Sequence, residues 1–189
     1  MKTIHRLLLL TLLALICGAC VPAWTVIRQA PGPNPLHGKA TMALEPLSFA
    51  GLHVGQKTEA DYQSKKSGEQ QSSWQTDKTE MAQNFAAELQ ARSQGLATPG
   101  AAGGGKHAVR ARIVFIEPGF YAYVAAHPTE AVMRLQVLAP GGEVLDEIEA
   151  RVAVEATMVS PSSGGRMREA GTRLGGIAAD YLLQRVAQP

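Results

Sequence analysis

Cysteine is nearly missing from this chain of 189 residues: the two present, Cys17 and Cys20, both stand close to the N-terminus. Everything after Cys20 therefore lacks a disulfide framework, a thiolate nucleophile and a thiolate-ligated metal. Long apolar runs are missing too. The longest, Leu7 to Ile16 with only Thr11 interrupting, is too short for the about 20 residues that span a bilayer. An excess of one charge is the third absence. The formal charge of +2 arises from 18 Lys and Arg against 16 Asp and Glu, and Lys2 and Arg6 account for it. Without them the signs balance. A balanced chain has no basic stripe for nucleic acid and no polybasic patch for anionic lipid.

What is present at the N-terminus explains the apolar run. Lys2, His5 and Arg6 precede it and Cys17-Gly18-Ala19-Cys20 follows it, the order of a secretory signal. The last four residues resemble a lipobox of the signal-peptidase II type, with Cys17 standing where Leu is usual. That resemblance implies cleavage between Ala19 and Cys20 and acylation of the Cys20 thiol. The alternative is an ordinary secretory signal cut near Ala19, with Cys20 a bystander. Val21 follows the cysteine where an Asp would resemble an inner-membrane retention signal, so the expected address is the outer membrane, facing the periplasm.

Three segments are expected: a signal peptide over 1–19, an acylated cysteine with a Pro-rich tether over 20–38, and one domain over 39–189. The tether reading rests on Pro22, Pro31, Pro33 and Pro35, which favour an extended spacer with little packing of its own. Lys39 to Phe49 reads as a strand at a sheet edge or with a bulge, because Pro46 withholds a ladder hydrogen bond. Gly55 to Ser73 is rich in Gln, Ser, Lys and Glu and reads as a mobile loop. Asp77 with Glu80 caps a helix whose face is Met81, Ala82, Phe85, Ala86 and Leu89, with Gly95 to stop it. Ala97 to Gly105, nearly all small residues, reads as a flexible connection.

Period-two alternation then marks strands over Ala108 to Ile116, Ala131 to Leu138 and Val144 to Glu155, the last two joined at Pro140-Gly141-Gly142. A final helix over Gly165 to Val186 carries Met167, Ala170, Leu174, Ala178, Tyr181 and Leu182 on one stripe. Gly171 and Gly175 beside that stripe each cost a helix about 1 kcal/mol, which close backbone packing would justify. The expected fold class is α+β: two helices on one face of a largely antiparallel four-stranded sheet, in the order β-α-β-β-β-α.

The lipobox, the first strand and helix, Phe120-Tyr121 after a strand, the Pro-Gly-Gly hairpin and the closing Ile177-Ala178-Ala179-Asp180-Tyr181-Leu182 together resemble a family of bacterial envelope lipoproteins. Their fold is similar to the N-terminal domain of TolB and the periplasmic domains of CsgG and LpoB. The resemblance implies action by binding and assembly. It brings no catalytic residues, and the membrane-spanning hairpins of CsgG have no counterpart in this sequence.

Signatures of chemistry are weak wherever they occur. Gly100 to Lys106 matches a phosphate loop except that His107 replaces the Ser or Thr, and it should enter a strand instead of a helix, so a linker is expected. His37, His53, His107 and His127 are scattered without metal-ligand spacing. Ser160, Ser162 and Ser163 lack a Gly-x-Ser-x-Gly elbow and are expected to cap the last helix. Glu143, Asp146, Glu147, Glu149 and Glu155 are expected on a solvated strand face paired with Arg134 and Arg151. Arg166, Arg168 and Arg173 are expected on a solvated helix face. Catalytic residues, metal and cofactor are thus expected to be none. Tyr121 and Tyr123 are the candidate partner contacts. One set of the alternating Phe120, Ala122, Val124 or Tyr121, Tyr123 should pack in the core, leaving the other to meet an envelope protein. The expected function is a lipid-anchored, non-enzymatic binding or assembly module, the alternative an envelope-acting hydrolase.

Overall fold

The structure is a computed structural model and describes residues 23–39, 41–101 and 105–189. The elements are β1 (Trp24–Arg28), β2 (Met42–Leu44), β3 (His53–Val54), β4 (Lys57–Thr58), α1 (Glu59–Gln63), α2 (Gly68–Arg92), β5 (Ala97–Pro99), β6 (Ala108–Glu117), β7 (Phe120–Ala122), β8 (Ala125–His127), β9 (Thr129–Leu138), β10 (Val144–Val154) and α3 (Ser163–Ala187). The fold is α+β.

β6, β9 and β10 form the antiparallel centre of the sheet, and they alternate except where the register shifts between Ile113 and Phe115 and between Val144 and Asp146. Val109, Ala111, Ile113, Met133, Leu135, Val137, Ile148 and Ala150 are buried, while Arg110, Arg112 and Arg134 point to solvent. The buried face carries α2 and α3, whose Met81, Phe85, Leu89, Met167, Leu174 and Leu182 complete one continuous core. Each such side chain contributes about 1.5–3 kcal/mol by leaving water.

Among the described residues the sheet has eight strands, not four, in the path β1-β10-β9-β6-β2-β5, with β3 attached to β6 and β4 to β3. The additional strands escape period-two reasoning for separate reasons. β2 runs parallel to both β5 and β6, and all three of its residues are buried, as inner parallel strands usually are. β5 occupies part of the stretch expected to be a flexible connection.

β1 corrects the tether. Trp24 to Arg28 pairs antiparallel with β10 along the sheet edge, and the segment after it is stitched to the end of α3. Asn34 Nδ2 donates to the carbonyls of Arg185 and Gln188 at 2.6 and 2.8 Å, Gly38 N donates to Val186 O, and Leu36 is fully buried. Prolines here shape turns against the domain instead of holding it away.

The Gly55 to Ser73 loop is also corrected. Thr58 caps α1 and Ser67 caps α2 through a full capping box with Gln70, so α2 starts at Gly68, well before Asp77. Its first turns are polar all round except for Trp74, which packs on Tyr62 and donates its indole N–H to Glu59 at 2.7 Å.

α2 and α3 lie against each other through the glycines of α3. A Cβ at Gly171 would run into the carbonyl oxygen of Met81, and one at Gly175 would sit 2.5 Å from Phe85 O and 3.2 Å from Leu89 N. Backbone cannot yield as a flexible side chain can, so Gly175→Ala should lose more to overpacking (about 1–3 kcal/mol) than the about 1 kcal/mol it gains in helix propensity. A lower urea midpoint at unchanged slope is the expected result; a variant as stable as the parent would refute the close approach.

Candidate functional site

Ala19 and Cys20, the expected cleavage and acylation residues, lie outside the described residues. Tyr121 and Tyr123 are well placed to be judged. β7 and β8 pair only with each other, as a two-stranded ribbon between β6 and β9. Neither alternating set enters the core, which overturns the expectation that one would. Phe120 is 54% exposed, Tyr123 92% and Val124 97%. The ribbon pairs with no strand of the main sheet, and each of its residues from Phe120 to His127 is at least partly exposed. Tyr121 and Tyr123 rest on one another with ring centres 6.2 Å apart, and Phe120 stacks on His127 at 6.3 Å.

The base of the ribbon is tightly packed and hydrogen-bonded. Gly119 turns the chain at φ +63°, where any Cβ would collide with the carbonyls of His127 and Pro128. Beside it lies Arg166, fully buried, contrary to the solvated helix face expected for it. Its Nε donates to Thr129 Oγ1 at 2.8 Å, its Nη1 to the carbonyls of Ser160 and Pro161 at 3.0 and 2.7 Å, and its Nη2 to Pro118 O at 3.2 Å. Burial pulls its pKa below the usual arginine value. Thr129 in turn donates to Pro118 O at 2.6 Å. One guanidinium thus ties the ribbon to the Thr157–Ser160 turn, where Met158 and Val159 are 75% and 94% exposed. Arg168 and Arg173 behave as expected, on the surface with Glu80 and Glu169.

A second buried polar group sits at the opposite end of the sheet. Asp146 is fully buried, whereas the reading of the hairpin carboxylates put it in solvent. It accepts from Arg185 Nε at 2.6 Å, from the Tyr181 hydroxyl at 2.8 Å and from Ala30 N at 3.2 Å. Burial, then the bond to Asp146, pushes the Tyr181 hydroxyl far above the ordinary tyrosine range. Spacing could have revealed this: Asp146 stands two residues before Ile148, in phase with the apolar face, and Tyr181 and Arg185 are one helical turn apart. The other carboxylates are as expected, with Glu149 against Arg134 at 3.3 Å and Glu147 against Gln136 at 3.1 Å.

An open apolar cleft of about 730 Å³ runs between α2 and the Leu44 to Phe49 segment, lined by Leu44, Leu47, Phe49, Ala82, Phe85 and Ala86. Its one cation, Lys78, is held by Glu59 at 2.6 Å. No nucleophile with an adjacent base faces it, since Thr79 donates its hydroxyl to Gln75 O.

Among the described residues, no three of His, Cys, Asp and Glu are grouped so as to hold a metal ion, and no helix is long and apolar enough to cross a membrane. Gly100 to Lys106, of which 102–104 lie outside the described residues, leaves strand β5 rather than the helix expected, and leads into β6. Among the described residues no helix begins between β5 and β6. Ser162 caps α3 by accepting from Gly165 N at 3.1 Å.

No family model matches the chain, and no curated protein matches it. Among solved structures, two PelC dodecamers from Paraburkholderia phytofirmans are similar. One, a point variant, is 14% identical, with 84% of this chain and 96% of that one covered and a TM-score of 0.43. The other is 13% identical over the same shares, also at 0.43. A crystal structure of an uncharacterized protein is 10% identical over 83% of this chain and 98% of that one, at 0.41. Likeness at this level carries no argument about function.

Proposed function

We propose that the chain is a lipid-anchored bacterial envelope lipoprotein, acylated on Cys20, whose domain acts by binding or assembly rather than catalysis. The observation that carries this reading is the exposed aromatic ribbon Phe120 to His127 on its buried Arg166 clamp. Holding exposed apolar side chains on a buried, hydrogen-bonded base lowers the entropy lost when they meet another surface, protein or lipid, which suits a contact role. The sequence supports the anchor through its lipobox-like Cys17-Gly18-Ala19-Cys20, and the resemblance to envelope lipoproteins agrees with it. Outer-membrane residence, facing the periplasm, follows from Val21 in the same reading. An envelope-acting hydrolase has no observation in its favour: no acid, base and nucleophile converge on the apolar cleft between α2 and the Leu44 to Phe49 segment.

The reading is tested by the mass and membrane partition of the protein made in its own host, beside Cys20→Ala. Acyl mass on an N-terminal Cys20 and loss of anchoring in the variant are the expected results. An unacylated wild-type chain free of the membrane would overturn the proposal.

A further inference from the structure

Five of the largest exposed apolar side chains, Phe120, Tyr123, Val124, Met158 and Val159, occur on two loops far apart in sequence. The Arg166 guanidinium brings their bases together, because it bonds Pro118 O at the foot of the ribbon and Ser160 O and Pro161 O at the foot of the turn. Register places both loops at one end of the sheet. The ribbon springs from the end where Glu117 faces Glu130 and Thr129 faces Val154, and the turn follows Val154 directly.

The N-terminal strand begins toward that same end. β1 is antiparallel to β10, with Arg28 beside Glu147 and Trp24 beside Ala150, so the chain traced backward from Trp24 heads toward Val154. Cys20 lies four residues before Trp24, a reach of at most about 14 Å. Ala150 likewise lies four residues before Val154. Because residues 24–38 are bound to the domain, only three residues separate Cys20 from β1. A lipid on Cys20 is therefore within reach of this end of the domain and would hold it at the bilayer surface.

From this convergence we infer that the ribbon and the Thr157–Ser160 turn form a membrane-docking face, whose apolar tips seat in the interfacial layer of the bilayer. This rests on the reading of Cys20 as acylated. A fluid lipid surface suits these residues better than a protein does. They are separate protruding tips, whereas a stable protein interface requires an extended complementary area of about 800 Å² per partner. Tyrosine, apolar in its ring and polar at its hydroxyl, is at home at the headgroup level. Charges at the foot of the loops are mixed, Arg151 bonding Glu130 at 3.2 Å with Glu155 exposed nearby, so the contact needs no anionic lipid. The acyl chains on Cys20 supply the attachment, and the face would set how the domain sits against the surface.

The mature chain has no cysteine other than the acylated one, so a second can be labelled cleanly. Tyr123→Cys, Val159→Cys and, at the opposite end, Gly141→Cys would each carry an environment-sensitive fluorophore on the full acylated protein in phosphatidylcholine vesicles containing acyl-chain spin labels. Labels at 123 and 159 should shift to the blue and be quenched, and the label at 141 should stay water-like. If a chain of verified acyl mass keeps all three labels in water, or if 141 is quenched equally, the docking face is refuted while the lipoprotein reading survives. Shielding of 123 that needs an added envelope protein would refute it in favour of a protein partner. A chain without acyl mass that stays off the vesicles would refute the underlying reading itself.

Discussion

Asp146→Ala should destabilise the domain by about 3–5 kcal/mol, the cost of leaving a buried charge without its partner. The domain as a whole is expected to hold about 5–15 kcal/mol, so the loss takes a large part of it. Arg185 has 6% of its side chain exposed and Asp146 none, and no other described carboxylate contacts the arginine. The same substitution also removes the acceptor for the Tyr181 hydroxyl and for Ala30 N, each worth about 1 kcal/mol. Since Ala30 follows β1, the N-terminal strand should loosen first. Hydrogen exchange over residues 24–38 would then rise before that of β6 and β9. Combining Asp146→Leu with Arg185→Met removes both charges and should recover much of the loss, because an apolar pair of similar volume replaces an ion pair at little cost. Urea unfolding of the single and double variants checks this. If the double variant is no more stable than Asp146→Ala, the buried charge is not the source of the effect.

The position of this cluster shows what alternation can and cannot tell. Arg110 and Arg112 among Val109, Ala111 and Ile113 announce one wet and one dry face, and β6, β9 and β10 were legible for that reason. The rule held even at Asp146, which falls in phase with Ile148. Its charge, not its spacing, suggested solvent, and the compensating Arg185 lies 39 residues away in sequence. β1 was illegible because four of its five residues are exposed, so no period appears in Trp-Thr-Val-Ile-Arg. β2 was blurred because it is dry on both faces. Phe120 to Val124 alternates convincingly, yet none of its residues is buried, and periodicity alone does not reveal whether a face has something to bury against. Buried Arg166 resembles Arg168 and Arg173 in sequence. Only the carbonyls of loops from separate parts of the chain distinguish it.

Arg166→Met should cost about 3 kcal/mol or more, even though methionine fills much of the same space. Hydrogen bonds from a charged donor are worth about 1.5–3 kcal/mol each, and four acceptors lose theirs: Thr129 Oγ1, Pro118 O, Ser160 O and Pro161 O. Desolvation of the guanidinium, which burial already disfavours, offsets part of this but not all. Arg166→Lys should recover little, because a single ammonium cannot reach acceptors spread around a planar fork. Unlike Asp146→Ala, this change leaves β1 in place and strikes the other end of the sheet. Hydrogen exchange should therefore rise at 118–129 and 157–162 while 24–38 stays protected. The two loops would then move independently, and the label at 123 should lose quenching by lipid out of proportion to any change in acylation. Unaltered stability and exchange in Arg166→Met would mean that the loops hold their positions without the guanidinium, and that the apolar tips are brought together by the turn sequences alone.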